Sequence, residues 1–162
     1  MGFDFKKYLT FAIAVAGSAA AATAGDCDMT SLNLRGDWGQ AQFSIEIADD
    51  VAERAQGLMN REEMARTAGM MFIYDAPQSV TFWMRNTLIP LDMIFIDPSG
   101  LVTSIHENAI PLDETPIPGG QGVQYVLEIN GGLIATFGIS VGSQVKHPEI
   151  DQKNALWPCP VQ

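Results

Sequence analysis

Histidine and cysteine are scarce in this chain, two of each among 162 residues, and the scarcity excludes whole classes of chemistry. His106 and His147 alone do not make a multi-histidine zinc centre. No Cys-x-x-Cys pair exists to support thioredoxin-like redox work. The chain also lacks a Gly-x-x-x-x-Gly-Lys phosphate loop, a Gly-x-Gly-x-x-Gly dinucleotide fingerprint and a Gly-x-Ser-x-Gly nucleophile elbow. Nothing therefore implies a nucleotide or any other cofactor. Basic residues are few, 9 against 19 acidic ones, for a net charge of −10. Such an excess disfavours binding nucleic acid or anionic lipid through bulk charge.

The N-terminus is organised differently from the rest. Lys6 and Lys7 precede an apolar stretch that starts at Tyr8 and runs on through alanine-rich sequence to Ala22-Thr23-Ala24. A basic region, an apolar region and small residues at a cleavage site make a secretory signal peptide, residues 1–24. Its strongly apolar part is shorter than the ~20 residues needed to span a bilayer, and no later segment is long and apolar enough to do so. Cleavage before Gly25 removes Asp4, Lys6 and Lys7, leaving 18 acids against 7 bases. Residues 25–162 have the length of one globular domain, expected in the periplasm or outside the cell. In an oxidising compartment Cys27 and Cys159 read as a disulfide joining the two ends of that domain. The alternative, a redox pair, has the wrong spacing, and Pro158 and Pro160 hold Cys159 rigidly.

Along the domain, residues 25–37 read as a polar leader. Phe43, Ile45 and Ile47 alternate with polar residues as in a half-buried strand. Asp49 or Asp50 caps a helix over Val51 to Met59, and a second helical turn spans about Arg61 to Arg66. Met70 to Tyr74 and Val80 to Met84 read as separate strands, with Pro77 as the break. Met93 to Ile96 and Leu101 to Ile105 flank the turn Asp97-Pro98-Ser99-Gly100. Residues 108–122, rich in proline and glycine, read as a long rim loop. Val123 to Ile129 is a strand, Leu133 to Phe137 a short helix and Gln144 to His147 a last strand. The fold class is α+β: β-rich, with a mostly antiparallel, small barrel-like or sandwich-like sheet and two or three short helices.

A series of motifs adds to this reading. Glu53-Arg54, Gly57-Leu58-Met59, Gly69-Met70-Met71-Phe72, Phe82-Trp83-Met84-Arg85-Asn86-Thr87, Ile89-Pro90-Leu91-Asp92 and Phe95-Ile96-Asp97 follow one another. Tyr125-Val126-Leu127-Glu128 and Gly142-Ser143-Gln144-Val145 come later. In this order they resemble the bacterial and archaeal family called domain of unknown function one-nine-two, over about Phe43 to Val145. The resemblance implies a compact β-rich domain, often exported, and supplies no activity. Ser143 departs from the family's pattern, in which an acid commonly follows the glycine.

Chemistry must then be sought in the residues. Trp83, Arg85, Asn86 and Asp92, with Glu128 and Arg54 in support, form the densest polar and aromatic set. A ring face with amide and acid groups beside it suits a saccharide or a fragment of the cell envelope. The same residues also have structural roles open to them: Trp83 as core, Asn86 and Thr87 as a turn, Asp92 as an acceptor of backbone amides. Asp92 and Glu128 together could serve a hydrolase as acid and base, given a suitable separation. Arg54 could pair with either carboxylate or receive an anion. The methionines after Met1 lack the clustering of a copper site and read as soft core packing. Three functions stay open: a non-catalytic small-ligand binding module, a hydrolase using Asp92 and Glu128, and a structural or protein-interaction domain.

Overall fold

The computed structural model describes residues 27–160, so the signal expected over 1–24 lies outside the described residues. Seven strands and two short helices follow one another: β1 (Ser31–Gly36), β2 (Gly39–Ala48), α1 (Val51–Gln56), β3 (Ala68–Phe82), β4 (Leu91–Ile96), β5 (Val102–Ala109), β6 (Ile117–Asn130), α2 (Leu133–Phe137) and β7 (Gln144–Lys146). They form one sheet in the order β5-β4-β6-β3-β2-β1-β7. Only β2 and β3 run parallel, and α1 lies in the crossover between them. The sheet curls until its ends meet. Leu101 bridges Gln144, Val102 donates to the Ser143 carbonyl and Val145 donates to the Gly100 carbonyl. The β-rich, barrel-like class expected from sequence is thus the observed one.

Each strand sorts its side chains by the two-residue period of a pleated sheet. Leu32, Leu34, Phe43, Ile45, Met71, Ile94, Ile96, Leu127, Ile129 and Val145 fill the concave side, where Leu133 and Ile134 of α2 also pack. Met70, Phe72, Met93, Phe95 and Val126 face the opposite side and need a second cover. That cover is the far half of the β3–β6 pair. Its register shifts between Ile73 and Thr81, which bends the two strands over the sheet. The rings of Phe72 and Phe82, and of Phe82 and Phe95, meet edge to face at 5.2 and 5.9 Å. A Cβ on Gly119 would stand 2.3 Å from the Phe95 ring and 2.6 Å from Val80, so only glycine lets the arm approach this closely.

Several elements differ from the sequence expectation for identifiable reasons. Pro77 does not break β3. It falls in the stretch between the paired residues Ile73 and Gln78, where a missing N–H costs no ladder bond. The expected rim loop at 108–122 shrinks to residues 110–116, because β5 reaches Ala109 and β6 begins at Ile117. Residues 31–36 of the expected leader form β1, with Leu32 and Leu34 fully buried. No helix forms over Arg61 to Arg66. The first helix stops at Gln56, because Gly57 takes φ 48° and donates to the Glu53 carbonyl as a C-cap. At its start the Asp50 carboxylate accepts from the Glu53 N–H at 2.7 Å. Met70, Met71, Met84 and Met93 are core residues.

Cys27 and Cys159 are joined, closing a loop with a sequence separation of 132. The C-terminal segment is also tied down by Trp157, whose ring carries the Arg35 guanidinium at 4.4 Å and the Lys146 ammonium at 4.9 Å. Two substitutions test these constraints in urea titrations. Replacing both cysteines by serine should lower stability by ~2–4 kcal/mol through a less restricted unfolded chain. Gly119→Ala should lower it by ~1–3 kcal/mol as an overpacking change, leaving the disulfide intact.

Candidate functional site

Strands β4 and β6 are paired along their length, Asp92 opposite Ile129 and Met93 opposite Glu128. That register decides where the two carboxylates go. Asp92 shares the concave side with Ile94, and Glu128 shares the opposite side with Met93 and Val126. The two acids therefore do not stand together, and an acid–base pair made of them is not what the structure contains.

Asp92 is fully buried and saturated. One oxygen accepts from the N–H groups of Asn108 at 2.8 Å and Gly132 at 3.0 Å. The other accepts from Ile134 N–H at 2.7 Å. Gly132 and Ile134 are the cap and second residue of α2, so Asp92 supplies from β4 the acceptor that this helix start lacks locally. Its work is architectural.

Glu128 presents the reverse case. Only 5 % of its surface is exposed, and no hydrogen bond or ion pair among the described residues engages its carboxyl, which borders a cavity. Burial alone pushes its pKa from 4.5 up to about 8, so the acid is mostly neutral at pH 7. It forms the floor of a cavity of about 100 Å³ walled by Leu58, Phe72, Tyr74, Phe82 and Thr87, with Arg54 and Trp83 also lining it. Two larger hollows, near 340 and 360 Å³, lie at residues 35–37 with 140–144 and at residues 106–118. Neither contains a buried titratable group without a partner.

Arg54 lies on the wall of the Glu128 cavity without pairing with either carboxylate. Its Nη1 donates to the carbonyls of Asp49 and, at 2.7 Å, Ile73. Its guanidinium lies 5.2 Å from the centre of the Tyr74 ring. The helix is thereby pinned to β3, and Nε and Nη2 remain without a partner among the described residues. Burial raises the Tyr74 pKa, an effect that nearby Arg54 opposes and Glu128 reinforces.

The remaining residues singled out from sequence fall around this site. Trp83 is not core: it is 47 % exposed at the rim, just beyond the end of β3. Arg85 lies outside the cavity lining and stacks on Trp83 at 5.5 Å. Asn86 takes φ 54° in a turn that puts its carbonyl 2.8 Å from the Asn60 N–H, the left-handed conformation that asparagine tolerates. Of the six residues, the structure brings Arg54, Trp83 and Glu128 to one cavity and leaves Arg85, Asn86 and Asp92 out of its lining. Leu58 and Tyr74 also line the cavity although the sequence marks neither as a site residue, and Thr87, part of the densest candidate stretch, lines it too. The only available signal for Thr87 was its place in the Trp83–Thr87 motif. Ser143, the departure from the family's pattern, is buried and accepts from the Trp38 indole N–H at 2.9 Å.

Substitution of the two acids should have opposite effects on stability. Near and above pH 4.5 the unfolded chain releases the Glu128 proton while the folded chain keeps it until about pH 8. Across that window rising pH therefore costs stability. Glu128→Gln should stabilise the fold by on the order of 3 kcal/mol at pH 7, with the gain fading toward pH 4. Urea titrations at both pH values check this, and an equal gain at each would remove burial as the cause. Asp92→Asn replaces one accepting oxygen by a donor and should cost ~1–3 kcal/mol by the same measurement.

Comparison with known proteins agrees with this architecture. No curated protein matches the chain. A solved protein of unknown function from Novosphingobium aromaticivorans is 46% identical, with a TM-score of 0.69 over 71% of this chain and 82% of its own. A candidate transcription regulator from Sinorhizobium meliloti is 38% identical, with a TM-score of 0.70 over 75% of this chain and 95% of its own. The profile of DUF192, described as an uncharacterised ACR family, matches residues 32–147, from β1 through the end of β7. With most of the described fold inside that match, the chain belongs to the DUF192 family.

Proposed function

We propose that this protein is an exported, non-catalytic binding module for a small ligand, a saccharide or a fragment of the cell envelope, held at the Glu128 cavity. One observation supports this above the others: a nearly fully buried carboxyl with no partner, aimed into a cavity. Buried polar groups are almost always bonded, and an unsatisfied one needs an explanation. A ligand group that completes the bonding of Glu128 is such an explanation. Trp83, half-exposed at the rim, offers a flat apolar face to a sugar ring lying over the opening. Among the described residues Glu128 is the only acid in the cavity lining, so the hydrolase alternative lacks a second carboxylate there. Export is supported by the N-terminal sequence pattern and by the disulfide. The regulator label of the Sinorhizobium protein finds no support in charge, since a net −10 repels DNA.

Thermal denaturation of the oxidised protein in the presence of envelope oligosaccharides tests the proposal. A ligand at one hundred times its Kd should stabilise the fold by ~2.7 kcal/mol. Trp83→Ala, at an exposed position, should weaken that response while leaving the unliganded melting temperature within a few degrees. A response that ignores Trp83 would remove the rim from the site. No response at all would favour a domain that acts through protein contacts.

A further inference from the structure

We propose that the group received by this cavity is a carboxylate, gripped on one side by the Arg54 guanidinium and on the other by the Glu128 carboxyl. The inference rests on the binding reading above and narrows its ligand to an acidic sugar or another small carboxylic acid. Arg54 is set up for the task. Both Nη1 hydrogens are spent on the Asp49 and Ile73 carbonyls, which fixes the plane of the group. The edge formed by Nε and Nη2, the fork that matches a carboxylate with two parallel bonds, is left without a partner among the described residues. Among the described residues no ion pair or hydrogen bond joins Arg54 to Glu128. The two groups therefore line one cavity without satisfying each other.

Charge and size agree. The charged and titratable groups that face Glu128 are Arg54 from α1 and Tyr74 from β3. The end of β3 and the turn after it contribute Thr81, Phe82, Trp83 and Thr87, and β4 places Met93 beside it. With Glu128 neutral near pH 7, the lining carries one positive charge and no negative one. A carboxylate is then matched locally although the chain is acidic as a whole, because charges beyond ~8 Å are screened at physiological ionic strength. A volume of about 100 Å³ is below the ~300 Å³ at which whole-ligand pockets begin, and so suits a terminal group. A neutral carboxyl can donate to that group. An ionised one repels it.

Isothermal titration calorimetry from pH 6 to pH 9.5 with lactate, glucuronate, glucose and ethanolamine provides the test. We expect lactate, glucuronate or both to bind near pH 6.5, and about tenfold more weakly at pH 9, where only a fraction of Glu128 remains protonated. Glu128→Gln should still bind the carboxylate but lose this pH dependence. Arg54→Lys, which keeps the charge and loses the fork, should weaken binding at every pH. Binding of glucuronate alone would identify an acidic sugar as the source, and equal binding of lactate would show that the carboxyl suffices. Glucose binding as tightly as glucuronate, or ethanolamine binding that strengthens as pH rises, would overturn the carboxylate assignment and leave the binding module standing. Silence from all four probes, with an oligosaccharide still raising the melting temperature, would overturn it equally. Silence from every compound would sink both.

Discussion

Two neighbouring strands of this sheet, β4 and β6, are covered on both sides along the rungs they share. All six residues of β4, and Tyr125 to Ile129 of β6, are buried. Polar groups on that ladder are almost wholly withdrawn from bulk water, so each needs a partner inside the protein or at a cavity. Asp92 and Glu128 occupy neighbouring rungs and meet this requirement in opposite ways. Asp92 is bonded by three backbone amides and in return anchors α2. Glu128 is bonded by nothing described and faces a small gap in the outer layer.

The imbalance has an energetic meaning. A domain of this size is stable by ~5–15 kcal/mol, so a buried acid that costs a few kcal/mol is a large fraction of the whole. Apolar side chains would fill the space at less cost, as they do at Met70 and Met93 on either side of Glu128. Sites that must bind something tend to hold such unspent bonding capacity, with stability given up locally for it. Nothing comparable occurs elsewhere among the described titratable groups. His147, whose pKa burial pushes down, is engaged by the Met29 carbonyl and the Glu149 amide.

The arm made by the far halves of β3 and β6 turns this local feature into a cavity. Without the bend, Phe72 and Phe95 would face solvent and Glu128 would be an ordinary exposed acid. With it, Phe82 closes on both rings and leaves a gap toward α1, which Arg54 lines. The same bend explains why β3 tolerates Pro77 and why Gly119 sits where it does. Fold and site thus share one cause.

Much of this was legible in the chain alone. The two-residue alternation at Phe43–Ile47 and Val123–Ile129 dictated strands, the acids Asp49 and Asp50 marked a helix start, and the terminal cysteines dictated their bond. Such signals are local, or depend on there being only one possible partner, and so survive without coordinates. The ordered motifs likewise carried family membership. The faces of Asp92 and Glu128 were decided only by tertiary structure. Period-two alternation assigns sides within a strand, but the pairing of β4 with β6 assigns them between strands. From sequence Trp83 could be core or a ring face for a ligand, because the arm that leaves it half-exposed is created by register shifts no local pattern announces. Arg54 could not be placed either. Its partners are carbonyls, which every residue has, and only the packing of α1 on β3 determines which of them it meets.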